Sequence, residues 1–115
     1  MIPALTARLA ELAALHQTTT YGQLARDLNL TGPTTIARLT TALESLMDQD
    51  AAAGHPFRAA LVNARFSPLP APGFFAKAAT LGRYTDEDPA NYITAERLAL
   101  QAFSLAKISH GGPGV

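Results

Sequence analysis

The chain has no cysteine and no tryptophan among its 115 residues. Without a thiol there is no disulfide, no thiolate metal site and no cysteine nucleophile, and a reducing, cytoplasmic setting is the expectation. An excess charge of either sign is also missing: nine Lys and Arg balance nine Asp and Glu. A neutral chain lacks the field that drives strong non-specific binding to nucleic acid. No apolar run is long enough to cross a bilayer, so no membrane partner is expected. The opening MIPALTARLAELAALH carries Arg8 and Glu11 inside its apolar stripe, unlike the core of a signal peptide.

Other absences narrow the chemistry. His16, His55 and His110 are scattered and lack ligand spacing, so no metal is expected. Asp86-Glu87-Asp88 has neither the glycine nor the distal glutamate of a calcium loop and reads as a solvated turn. No phosphate-cradling glycine loop, serine triad or pair of catalytic carboxylates can be assembled. Neither a cofactor nor a catalytic residue is predicted, and the expectation is a protein that is not an enzyme.

What is present is a 48% hydrophobic composition, ordinary for a folded domain of this length. The reading is one domain over residues 1–108, followed by a flexible tail over 109–115. A first helix is predicted from about Pro3 to His16, with Leu5, Leu9, Leu12 and Ala13 or His16 inward. The segment TYGQLARDLNLTGPTTIARLTTAL, Thr20 to Leu43, then reads as helix, tight turn and helix. Thr20 and Gln23 have the spacing of a capping box. Asn29 to Pro33 supplies the stop and restart, with Pro33 in the first turn of a helix that runs to Ala53 and ends at Gly54. Ile36, Leu39, Leu43 and Leu46 form its expected inward stripe, with Thr35, Arg38, Ala42 and Ser45 opposite.

Beyond Gly54, Ala60 to Phe66 alternates with the period of a half-buried strand. The following Ser67 to Gly73 holds three prolines and is expected to be an exposed loop. Phe74-Phe75 returns to the core, and Phe75 to Leu81 forms a short helix. Strand, proline-rich loop and aromatic return together suggest a wing. The last helix starts at Asp88-Pro89 or at Thr94, with Leu98, Ala102, Leu105 and Ala106 as its buried stripe. The fold class is therefore mainly α with a small β wing: a winged helix-turn-helix plus a closing C-terminal helix.

Three pieces resemble the DNA-binding domain of the O6-alkylguanine-DNA alkyltransferases and alkyltransferase-like proteins. Thr20-Tyr21-Gly22-Gln23-Leu24-Ala25 is similar to that family's T-Y-G-E-L-A, Ile36 to Leu43 to its recognition helix, and Leu61 to Gly82 to its strand, wing and following helix. The resemblance implies a winged helix on duplex DNA, with Tyr21 orienting a phosphate. Where the family has Pro-Cys-His-Arg, this chain has Val62-Asn63-Ala64-Arg65 and keeps only the arginine. Neither amide nor methyl group replaces the alkyl-accepting thiolate, so alkyl transfer is excluded. The arginine that the family inserts into the duplex aligns with Ala37, and Arg38 lies about 100° further round the helix. The long third helix brings the chain closer to short bacterial relatives that pair this domain with a closing helix.

Each candidate residue carries two readings. Tyr21 holds a phosphate or packs as an amphipathic ring. Thr34, Thr35 and Arg38 read base edges and phosphates or form a plain solvent face. Residues 51–83 contain Arg58, Arg65, Lys77 and Arg83 with no acid, which is either a phosphate-contacting face or the solvated surface of a loop-rich segment. Asn63 lines a pocket for a planar ligand or bonds local backbone. Two functions follow: a non-catalytic DNA-binding or DNA-associated module, using Tyr21, Thr34, Thr35, Arg38, Arg58, Arg65 and Lys77, or a protein–protein interaction module that binds no nucleic acid. Oligomeric state is left open.

Overall fold

The computed structural model describes residues 2 and 4–110, with side chains as far as residue 103. Its regular structure is mainly helical, with five α-helices and one parallel pair of very short strands. Helix α1 (Leu5–Ala14) buries Leu5, Leu9, Leu12 and Ala13 on one face, as the spacing dictates; His16 is exposed. Strand β1 (Thr19–Thr20) leads directly into α2 (Tyr21–Asp27). The Thr20 hydroxyl caps α2 by accepting from the Gln23 N–H at 3.2 Å. Gln23 does not close the box. One turn further on, Asp27 takes its amide N–H at 2.8 Å, and its carbonyl accepts from Arg26.

Helix α3 (Thr35–Ala53) starts two residues beyond Pro33, after a turn in which the Thr35 hydroxyl donates to the Gly32 carbonyl at 2.8 Å. It ends at Gly54, whose φ of 72° lets the chain turn back so that His55 N–H reaches the Asp50 carbonyl at 2.8 Å. Leu39, Leu43 and Leu46 are buried as expected, joined by Met47 and Asp50. Ile36 is not: it is 48% exposed, because the first turn of α3 projects beyond the core and forms the rim of a groove.

The strand expected over residues 60–66 is mostly absent. Arg58–Leu61 form a 3₁₀ turn, and β2 is only Val62–Asn63, parallel to β1 with Thr19 opposite Val62 and Thr20 opposite Asn63. The alternation misled because Ala59 through Asn63 are all buried, on both sides of the chain. Phe66, with φ of 58°, breaks the extended run, and Ala64 N–H closes a loop onto the Leu69 carbonyl at 2.8 Å. Among the described residues the segment expected to form a wing is thus a folded loop, not a β-hairpin.

Helix α4 (Pro72–Thr80) begins three residues earlier than expected, because Pro72 occupies its first turn, where a missing N–H costs nothing. Helix α5 (Pro89–His110) starts at the first of its two candidate signals, with the Asp88 carboxylate accepting from Asn91 N–H at 3.0 Å. Its buried residues are Tyr92, Ile93 and Leu100; Leu98, 59% exposed, and Ala102 face outward. The helix is rotated because Glu96 and Arg97 turn inward to bond backbone groups at Phe57 and Ala60. The side chains of Leu105 and Ala106 lie outside the described residues. So does most of the expected tail, although 109 and 110 still belong to α5. One core joins all five helices and the 3₁₀ turn, with Leu9, Leu24, Leu39, Met47, Phe57, Val62 and Ile93 at its centre. No helix among the described residues is long and apolar enough to cross a membrane.

Candidate functional site

A groove of about 1000 Å³ lies between the start of α2, one flank of α3 and the chain from β2 into α4. Local sequence explains each wall. The Thr20 cap fixes Tyr21 and Gly22 at the head of α2. The 3.6-residue period of α3 puts Ile36, Thr40, Leu43, Glu44 and Met47 on one flank. Ala64, Arg65 and Phe66 follow β2, and Ala71, Gly73 and Phe74 close the far side.

The lining is largely apolar, with few polar groups. Tyr21 is half-buried, and its hydroxyl pKa is raised by burial and, secondarily, by the nearby Glu44 carboxylate. The phenol is therefore a neutral donor at physiological pH. Arg26 and Arg65 stand at the rim and form no ion pair among the described residues; Arg26 donates to the Gln23 amide at 3.0 Å. The Arg65 guanidinium lies 4.7 Å from the centre of the Phe66 ring, and that ring is 90% exposed.

The other predicted residues are dispersed. Thr34 is exposed at the head of α3 and Thr35 is engaged in its turn. Arg38 is exposed but lies on the opposite flank of α3 from Ile36, in a second cleft of about 570 Å³ walled by Ile2, Leu5, Thr41 and Leu46. Arg58 turns inward and holds the buried Asp50 with Nη2 at 2.8 Å and Nε at 3.0 Å, while its own backbone N–H donates to the same carboxylate. Lys77 pairs with Asp48 at 2.9 Å. Asn63 is buried beside the groove rather than in it: its carbonyl accepts from Arg97 and its amide donates to the Thr18 hydroxyl at 3.4 Å. Neither expectation for Asn63 holds. It does not line the groove, and its amide bonds side chains 34 and 45 residues away instead of local backbone. The parallel pairing of β1 with β2 and the inward turn of Arg97 bring those partners to it. Arg38, Arg58, Arg65 and Lys77 do not form one face.

Sequence reasoning missed the polar framework behind the groove. Arg97 donates to the Ala60 carbonyl at 2.9 Å, to the Pro68 carbonyl at 3.2 Å and to Asn63, and burial lowers its pKa. It ties α5 to both ends of the segment that carries Arg65 and Phe66. Glu96 accepts from Phe57 N–H at 2.8 Å, and Arg83 stacks 4.5 Å over the Phe57 ring while donating to the Asp50 and His55 carbonyls. The signal in the sequence is a single pair of charges, Glu96 and Arg97, inside an otherwise uncharged stretch of α5. Among the described residues no three His, Asp or Glu side chains come together as metal ligands.

Compared with protein-family models, with curated proteins and with solved structures, the chain matches none.

Proposed function

We propose that this protein is a non-catalytic, DNA-associated module of alkyltransferase-like type, built on a winged helix-turn-helix in which the wing is a folded loop. The observation that carries the reading is convergence. Thr20 to Gly22, Ile36 to Leu43 and Ala64 to Phe74 belong to the three pieces that resemble the alkyltransferase DNA-binding domain, and all three wall one groove. Val62-Asn63, aligned with part of the family's reactive motif, lies beside it, with a buried amide in place of the thiol. Arg26 and Arg65 at the rim supply phosphate contacts, and exposed Thr34 at the head of α3 is also available to a duplex. Arg38, in the cleft on the opposite flank of α3, is left out of the contact set. Arg58 and Lys77 are held by Asp50 and Asp48 and are left out of the contact set.

Fluorescence anisotropy with a short duplex tests this. Two cations predict a slope of log affinity against log salt of about −2, each neutralised phosphate giving about −0.9. Arg65→Ala should remove nearly one contact from that slope, and Lys77→Ala should leave it unchanged. Absence of binding at tens of micromolar protein, where non-specific binders already associate, rejects the reading.

The rival, a protein–protein interaction module, is favoured by one feature: Ile36 and Phe66 are exposed apolar groups on a shared groove in a chain of zero net charge. It predicts salt-insensitive capture of a protein partner that Ile36→Ser abolishes, and no DNA binding.

A further inference from the structure

Phe66 is the most anomalous side chain in the described structure. A bulky aromatic residue rarely adopts positive φ, yet Phe66 sits at 58°. The conformation is imposed by its surroundings: Ala64 N–H bonds the Leu69 carbonyl, Ser67 N–H bonds the Ala64 carbonyl at 3.2 Å, and Arg97 pins the Pro68 carbonyl. The result is a ring held 90% exposed on a tied loop, not one left behind on a loose tip. The Arg65 guanidinium lies against the ring, and Arg26 lines the same groove.

We propose that Phe66, backed by Arg65, is a stacking platform for an unpaired base of DNA at the mouth of the groove. This rests on the DNA-associated reading and adds the class of DNA recognised. A base offers a flat π-face that a fixed aromatic ring accepts without regard to sequence, and the strand on either side of it offers the phosphates that arginines bind. The two exposed rim arginines, neither held in an ion pair among the described residues, suit the phosphates flanking such a base better than they suit an apolar peptide. Glu44 also lines the groove and would offer an acceptor to an exocyclic amino group of the base. The platform does not require the protein to push a base out of a paired duplex. Its targets are bulged, mispaired or single-stranded sites, where the base is already free.

The test compares a perfect duplex with the same duplex carrying one bulged 2-aminopurine, read by anisotropy and by base fluorescence. The wild-type protein should bind the bulged duplex about ten-fold more tightly and quench the 2-aminopurine. Phe66→Ala should abolish the preference and the quenching while leaving duplex affinity and its salt slope unchanged; Phe66→Trp should restore both. Arg65→Ala should instead lower the salt slope on both DNAs. Equal binding of the two duplexes by wild type, or a preference that survives Phe66→Ala, overturns the platform but leaves DNA association standing. Loss of all DNA binding by wild type overturns both. A dimer of the free protein that Phe66→Ala dissolves would assign the ring to self-association and overturn the platform as well.

Discussion

Of the seven arginines, three turn inward, three stand at clefts and Arg8 pairs at the surface with Asp27 and Glu11; the contrast between the first two sets is a matter of neighbours. Arg58, Arg83 and Arg97 are enclosed by Asp50, Glu96, Asn63 and the carbonyls of Asp50, His55, Ala60 and Pro68. Arg26, Arg38 and Arg65 form no ion pair among the described residues and stand beside clefts. The inner set is structural: it joins the end of α3, the 3₁₀ turn and the loop after β2 to α5. The outer set is the only one of the two free to meet a charged partner. A residue type counted from the sequence therefore says little about surface charge until the buried acids are known.

The contrast breaks most easily at Asp50, which is 1% exposed. Asp50→Ala leaves the Arg58 guanidinium and backbone N–H without their shared partner. Urea unfolding should show a loss of about 3–5 kcal/mol, the cost of removing one half of a buried pair. A loss below 1 kcal/mol would mean that the inner set is as dispensable as the outer.

Tyr92 sharpens the same comparison with a smaller effect. Its hydroxyl is buried with no hydrogen-bond partner among the described residues, and its pKa is raised by burial and by Glu96. Tyr92→Phe removes a group whose desolvation nothing offsets, so stability should stay level or rise by about 1 kcal/mol. The pH dependence has a definite sign. The folded-state value lies above the unfolded one of 10.0, so the unfolded chain deprotonates first. Stability is intact below about pH 10 and falls as pH rises beyond it, and Tyr92→Phe should flatten that fall.

The smallest effects belong to the surface. Arg65→Ala should change stability by no more than about 0.5 kcal/mol, as expected for a side chain outside the packed network. Lys77→Ala, which frees Asp48, should cost about 0–1 kcal/mol, since the pair is partly exposed and salt weakens it. Thermal melts at low and high salt would separate the two.

Much of the helical part of the fold was legible because it depends on local periodicity and end signals. Leu5, Leu9 and Leu12, the Thr20 cap, Leu39 and Leu43, and the Gly54 stop all lie where spacing and backbone preference put them. The segment from Arg58 to Phe66 was not, because a period of two in apolar residues does not distinguish a half-buried strand from a 3₁₀ turn and short strand buried on both sides. The register of α5 was equally hidden: Leu98 fits an apolar stripe, but Arg97 and Glu96 gain more by reaching backbone groups that no nearby stretch of sequence supplies.

The candidate site divides the same way. Tyr21 and Arg65 were identified from sequence and line the groove, whereas Arg26, Glu44 and exposed Phe66 were not foreseen there. The sequence by itself determined the helices, their caps and most of one buried stripe, since these follow from interactions within a few residues. Tertiary structure decided which arginines are neutralised, where Ile36 and Phe66 face, and that three separated segments share one groove. Those outcomes depend on partners 8 to 39 residues away, such as Asp50 with Arg58 and Phe57 with Glu96. Contacts at that separation are selected by the packing of the whole chain, not by local preference.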